Sequence, residues 1–402
     1  MRRTAIAAVV LTLAAPAAAT AAKPRLDRSF GALHHGYWVR ADGAWAKAYS
    51  ATPVRGGAVL VASEDGRVTR IGAGGRADAG WGTGGAVDVS GPAAVVDGLP
   101  IRRTSLVTAA VWGDRILLST ARGATGNTRA LVVDDRGRPL PVTDAVNTAL
   151  PQAPVYGQDL LVPAPDGTLL DLRRIDSLGL PYTPPVPWSI RTLGPSGTVR
   201  EGPHDVPDDV LERYATLGGA PVSPPTATGA PGLIVAPLGS WPRPTVVFRL
   251  LFWGGADRVF RPFPLPDSEY VSQMLPWHGG VIALTNRRVR WIDHTGYLVR
   301  SRRIVATRIA RDAAQRLLVL AGSDDRRLVT VRRLRLNGRL DTGFGEVRLR
   351  AAGRKVEALG VVAARGGRLL VVGRTVEYHP IETREDVEYH ARGTIAWRLL
   401  TR

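Results

Sequence analysis

Three short stretches of the chain carry nearly the same message: Asp27-Arg28-Ser29-Phe30-Gly31, Asp78-Ala79-Gly80-Trp81-Gly82 and Asp341-Thr342-Gly343-Phe344-Gly345. The first two lie 51 residues apart and the third 263 further on, close to five more periods. A unit of that length, built of short apolar runs and glycine turns, cannot bury its apolar faces alone. Packing such units side by side around an axis solves the problem.

Seven segments share one grammar: a polar or glycine turn, an apolar run, a gap, and a second strand. The apolar runs begin at Val59, Ile116, Leu160, Leu233, Ile282, Leu317 and Leu369, and second strands follow at 68–71, 130–133, 169–172, 246–251, 289–292, 328–336 and 395–400. Turn glycines stand after most of them: Gly75, Gly137, Gly179, Gly254, Gly296 and Gly338. This is an all-β pattern. One interval breaks the period, the 73 residues from Leu160 to Leu233. The excess falls in 181–232, dense in Pro, Gly, Ser and Thr, and reads as an insertion. Asp205 as N-cap, Pro207, Asp208, Asp209 and Glu212 in the first turns and Gly218 beyond predict a short helix inside it.

The two ends imply closure. The last unit stops at Trp397-Arg398-Leu399-Leu400-Thr401-Arg402, short of its own Asp-x-x-Phe-Gly, and that piece stands at 24–31 instead. A ring whose last sheet is completed by the N-terminal strand explains both ends and leaves no sheet edge open to pairing with other chains. The expected fold is therefore all-β: a single β-propeller over 22–402, with seven blades of four antiparallel strands. The pattern Gly-x-Leu-Asp-x-x-Phe-Gly before a glycine-rich apolar strand resembles the delta-60 repeat of bacterial β-propeller proteins. The match is good at 338–345, looser at 26–31 and at 75–85, where Trp81 stands for Phe. The resemblance implies a propeller and frequent export, and brings no shared catalytic residues. The Asp and the aromatic are expected to cap a turn and to pack between blades.

Residues 1–21 read as a secretory signal peptide: Met1-Arg2-Arg3, an uncharged Ala/Val/Leu run, and an Ala19-Thr20-Ala21 exit. The expected location is secreted, extracellular or a periplasm-like envelope space, with no membrane span after cleavage. The sequence holds no cysteine, which removes thiol catalysis, zinc–cysteine sites and iron–sulfur centres. Net charge is +18, and only three of the 53 basic residues are lysines. Such an excess attracts polyanions; it is also what codon bias toward arginine spreads over a surface.

Candidate chemistry is sparse. Glu377-Tyr378-His379 and Glu388-Tyr389-His390 flank a polar stretch, and a hairpin with His379 opposite Glu388 places Glu377 opposite His390. Glu377, His379, Glu388 and His390 then share one face and offer a divalent metal site, or a ladder of opposite charges. His204, Asp205, Asp208, Asp209 and Glu212 form an acidic cluster that could hold calcium or simply cap the helix. Aromatics crowd 241–297 and read mainly as packing. Arg332, Arg333, Arg335 and Arg339 make the densest basic patch, expected on an outer surface. Ser63-Glu64-Asp65-Gly66 falls short of a sialidase Asp-box. No nucleophile elbow, His-Glu-x-x-His or phosphate loop is present. These features point to an exported, non-catalytic binding or scaffold protein of the cell envelope. The expected partner is an envelope protein or a glycan, with no specific nucleic acid, and the expected state a monomer. The alternative is a polysaccharide- or peptidoglycan-directed hydrolase or lyase with carboxylates at the propeller mouth.

Overall fold

The computed structural model describes residues 23–401, apart from 31–36, 41–47, 90–94, 97–98, 101–105, 122–128, 151–156, 165, 176–187, 207–225, 228–231, 236–244, 252–255, 267–268, 324, 365–366 and 381–386. The predicted signal peptide lies outside these. Antiparallel sheets follow one another along the chain. The first holds Ala48–Val54, Ala58–Ser63, Arg67–Ile71 and Ala86–Asp88; the second Leu106–Trp112, Arg115–Ala121 and Ala130–Val133. The third holds Gly157–Pro163, Leu169–Ile175, Trp188–Leu193 and Val199–Asp205; the fourth Thr226–Ala227, Gly232–Val235, Val246–Leu251 and Phe263–Pro264. The fifth holds Val271–Trp277, Gly280–Thr285, Arg288–Ile292 and Leu298–Arg303; the sixth Arg308–Arg311, Leu317–Gly322, Val329–Leu334 and Glu346–Leu349. The last is Lys355–Ala364, Arg368–Pro380 and Val387–Leu400, completed by Arg25–Leu26 and Tyr37–Arg40. A separate two-stranded hairpin pairs Val95–Val96 with Leu99–Pro100.

The first strand of each sheet touches the first strand of the next, and that of the last sheet returns to Ala48–Val54. The sheets therefore radiate about an axis, and the chain folds as a single β-propeller. Closure follows the predicted route: Arg25 pairs with Leu400 and Leu26 with Leu399, while Tyr37 to Arg40 continue along Trp397 to Thr394. The expected count of seven four-stranded blades is corrected. Among the described residues six sheets have four strands or more, and the second stops at three.

The apparent break in the repeat also has a structural cause. Leu160 sits on the first strand of its sheet, whereas the other six apolar runs lie on second strands. The equivalent position is Leu169, 64 residues before Leu233 rather than 73. The described part of 181–232 includes two ordinary blade strands, Trp188–Leu193 and Val199–Asp205. Asp205 ends a strand instead of capping a helix, and the rest of that predicted helix falls outside the described residues.

Second strands are apolar because both their faces are covered. Ala58–Ser63 and Gly280–Thr285 are buried at every position. Side chains alternate, so Leu60 and Ala62 pack toward the second sheet while Val59 and Val61 pack toward the last. The core is thus divided among the junctions between blades.

The repeated motif builds these junctions. In each copy an arginine on the third strand holds the Asp, and the aromatic is buried beneath. Arg398, Arg333 and Arg249 donate to Asp27, Asp341 and Asp257 at 2.8, 2.8 and 2.9 Å. Their guanidinium carbons lie 4.8, 4.6 and 4.8 Å from the ring centres of Phe30, Phe344 and Phe260, within cation–π range. The copy at 78–82 is looser: Asp78 is held by Arg70 at 3.6 Å, and Trp81 is fully buried. In two copies the aromatic then meets a glycine in the turn that follows the neighbouring sheet's third strand. A Cβ on Gly75 would lie 1.9 Å from Phe30, and one on Gly137 2.9 Å from Trp81; both glycines also have positive φ. Arginines bridge to turns of this kind: Arg398 donates to Gly74 O at 3.0 Å, Arg115 to Pro195 O at 2.8 Å, Arg249 to His294 O at 2.7 Å and Arg300 to Leu336 O at 2.7 Å. Part of the arginine excess is therefore structural, and turn-capping by Asp with burial of the aromatic is as the sequence predicts.

Candidate functional site at the axis

First strands from the first, fifth, sixth and last sheets enclose an axial cavity of about 470 Å³. Its described lining is largely apolar, with Leu275, Ile309, Leu359, Val361 and Val362, and carries the hydroxyls of Ser50 and Ser272 and the amide of Gln273. Gln273 fixes the neighbouring strand: its Nε2 donates to Ile309 O at 2.9 Å and its Oε1 accepts from Ile309 N at 2.8 Å. That clamp positions Arg308 and Arg311, the ionised residues of the described lining.

The two arginines differ. Burial pushes the Arg308 guanidinium below its ordinary pKa; attraction to Glu357 opposes this and repulsion from Arg374 adds to it. Arg308 donates to Thr307 O at 2.8 Å. Glu357 is itself engaged by Arg374, at 3.0 Å from Nε and 2.9 Å from Nη2. Burial alone pushes Arg311 down. Its Nη1 donates to Gln315 Oε1 at 3.0 Å, while Nε and Nη2 are shielded from solvent without a hydrogen-bond partner.

The residues singled out in the sequence fall elsewhere. The last hairpin has the predicted register, with Glu377 opposite His390, Tyr378 opposite Tyr389 and His379 opposite Glu388. Glu377 accepts from Arg392 Nε at 2.6 Å; the side chains of His379, Glu388 and His390 lie outside the described residues. His204 Nε2 is 3.5 Å from Glu201, and Asp208, Asp209 and Glu212 are likewise outside. No group of three or more potential metal ligands occurs among the described residues. Of the aromatics, Phe248, Phe260 and Trp291 are buried and Tyr270 and Tyr297 exposed. The basic patch is not wholly superficial, since Arg333 is buried and lies 2.7 Å from Asp341. Asp65 caps its own turn through the Arg67 amide, 3.2 Å away. The axial arginines were missed because each is a single charge in an ordinary strand pattern. The fourth motif copy, Asp257-Arg258-Val259-Phe260, lacks the following glycine, but the arginine eight residues before Asp78, Asp257 and Asp341 was a readable signal.

No family model and no curated protein sequence matches this chain. Solved structures do resemble it. Chaetomium thermophilum Raptor is 11% identical over 90% of this chain and 28% of that one, with a TM-score of 0.53. BamB from Moraxella catarrhalis is 12% identical over 90% and 97%, with a TM-score of 0.42. A putative gluconolactonase is 10% identical over 96% and 93%, with a TM-score of 0.40. At such identities the first likeness speaks for the fold alone. No helix among the described residues is long and apolar enough to cross a membrane.

Proposed function

We propose that the chain is an exported, non-catalytic binding or scaffold protein of the bacterial envelope, which takes an envelope protein or a glycan at its axial mouth. The observation that carries this reading is the chemistry of the cavity: apolar walls with charge held in guanidinium groups. Guanidinium binds anions and keeps its proton throughout the accessible pH range, so it suits recognition rather than acid–base chemistry. Export rests on the signal-like residues 1–21. Membership among delta-60 repeat propellers gains support from the Asp257 copy of the clasp, held by Arg249 as its counterparts are held by their own arginines.

The test uses purified residues 22–402 with insoluble bacterial cell walls. Co-sedimentation without release of soluble fragments is expected. Release of reducing ends or muropeptides would instead favour a hydrolase or lyase. Fusing residues 1–21 to a reporter active only outside the cytoplasm checks export, and an inactive fusion rejects it.

A further inference from the structure

We infer that Arg311 anchors an oxyanion site in the axial cavity, taking a carboxylate or phosphate group of a ligand that enters along the axis. This rests on the binding reading above and gives it a chemical class.

The unpartnered atoms are Nε and Nη2, which together form one edge of the guanidinium fork. That edge presents two parallel N–H donors at the spacing of two oxygens on one carboxylate or phosphate. Gln315 satisfies the opposite side through Nη1, which orients the fork and leaves the shielded edge without a protein partner. The nearest carboxylate in sequence, Asp312, is already in use. It accepts from the amides of Ala314 and Arg316, both at 2.9 Å, and from Arg316 Nε at 2.8 Å, and lies 3.7 Å from Arg333. Glu357 is held by Arg374 and approached by Arg326 at 3.7 Å. Arg308, three residues away along the strand or roughly 10 Å, projects to the opposite side by strand alternation.

Arg311 is therefore a partly buried cation whose depressed pKa comes from desolvation without an opposing charge. Charged donors left dry are costly, and burial strengthens whatever partner meets them. The adjoining cavity, about 470 Å³, is roomy enough for a small anionic group and the apolar body attached to it.

Two measurements test the site. Titration calorimetry at constant ionic strength uses inorganic phosphate and acetate as probes on the wild-type chain, Arg311→Gln, Arg311→Lys and the exposed control Arg327→Gln. At least one anion should bind, Arg311→Gln should weaken it tenfold or more, Arg311→Lys should restore part of the loss, and Arg327→Gln should change nothing. Whichever anion binds more tightly distinguishes phosphate-bearing from carboxylate-bearing ligands. Binding by neither anion, or binding within twofold of wild type in Arg311→Gln, overturns the proposal. Thermal unfolding without anion gives a second readout: Arg311→Met should unfold at the wild-type temperature or higher, because an uncompensated charge is removed. A large drop instead makes Arg311 a structural residue. Cell-wall sedimentation of the same variants separates the two ideas. If wild type and Arg311→Gln sediment alike and neither probe anion binds, the anion site fails while the binding reading stands. Fragment release by wild type defeats the binding reading whatever Arg311 does.

Discussion

The sixth sheet and the second sheet close their outer edges by different chemistry. In the sixth, Glu346–Leu349 pairs with Val329–Leu334, and the turn leading to it carries Asp341, clasped by Arg333 over Phe344. In the second, the helix Val142–Ala149 stands where a fourth strand would run. Its side chains do the work of a strand backbone. Asn147 Oδ1 accepts from Ala130 N at 3.0 Å while its Nδ2 donates to Ala130 O at 2.9 Å. Thr143 Oγ1 accepts from Val132 N at 3.0 Å and donates to Val132 O at 3.1 Å. The spacing explains why this fits. Four residues of helix rise about 6.0 Å and two residues of strand about 6.6 Å, so Thr143 and Asn147 meet alternate residues of the edge. The helix also takes over the interblade contact: Cβ on Gly197 would lie 2.9 Å from Val146 and 3.0 Å from Val142, the relation Gly75 has to Phe30. A blade edge thus needs two things, filled backbone hydrogen bonds and an apolar plug against the next hairpin. Either secondary structure can supply both.

The largest effect should come from breaking the ionic clasp. Arg333→Met leaves Asp341 and Asp312 buried without their shared cation, and losing one partner of a buried pair costs about 3–5 kcal/mol. Denaturant unfolding measures it, with Arg327→Met, an exposed arginine outside the clasp, as control. Equal losses in the two variants would show that the clasp contributes nothing special. The helix-finished edge should respond less. Asn147→Leu removes two hydrogen bonds and strands an amide and a carbonyl, a cost of about 1–3 kcal/mol. Hydrogen exchange should quicken at Ala130 while amides of Val329–Leu334 keep wild-type protection; quickening in both would mean that the two edges are one cooperative unit. Thr143→Val, which keeps shape and loses only the hydroxyl, should cost about 1 kcal/mol and quicken exchange at Val132.

These two regions also differ in how far the sequence revealed them. The Asp and aromatic of the clasp were visible because they are adjacent in sequence and recur with a glycine, whereas the arginine that holds the Asp, eight residues upstream of Asp78, Asp257 and Asp341, was not read. Closure was visible because the motif at 338–345 reappears at 24–31. The helix left a signal that strand periodicity masked: Val142, Val146, Ala149 and Leu150 form an apolar stripe at helical spacing behind Pro141, with Asp144 in the first turn. Leu160 misled for the opposite reason. A first strand facing a crowded axis can be as apolar as a second strand, so composition alone does not number the strands within a blade. The axial site was least legible. Arg311 differs from the many other arginines only in what its neighbours leave unfilled, and that depends on four sheets meeting.

Acid offers the mildest way to separate the two edges, because one is titratable and the other is not. Burial alone would raise the Asp341 carboxyl; the hydrogen bond and charge of Arg333 overrule it and hold the group below the ordinary value of 3.8. Burial acts likewise on Asp27, and the bonds from Ser29 and Arg398 overcome it. A folded-state pKa below the unfolded one adds stability that is fully present above the unfolded value and fades as pH falls from about 3.8 through the folded one. Wild-type stability should therefore drop between about pH 5 and the lowest pH at which the protein stays soluble. Asp341→Asn should begin lower and decline less steeply, since that carboxylate no longer takes up a proton on unfolding. Asn147→Leu should run parallel to wild type, because amide and hydroxyl edges bind no protons in this range. Parallel curves for all three proteins would mean that the Asp341 clasp carries no acid-sensitive stability.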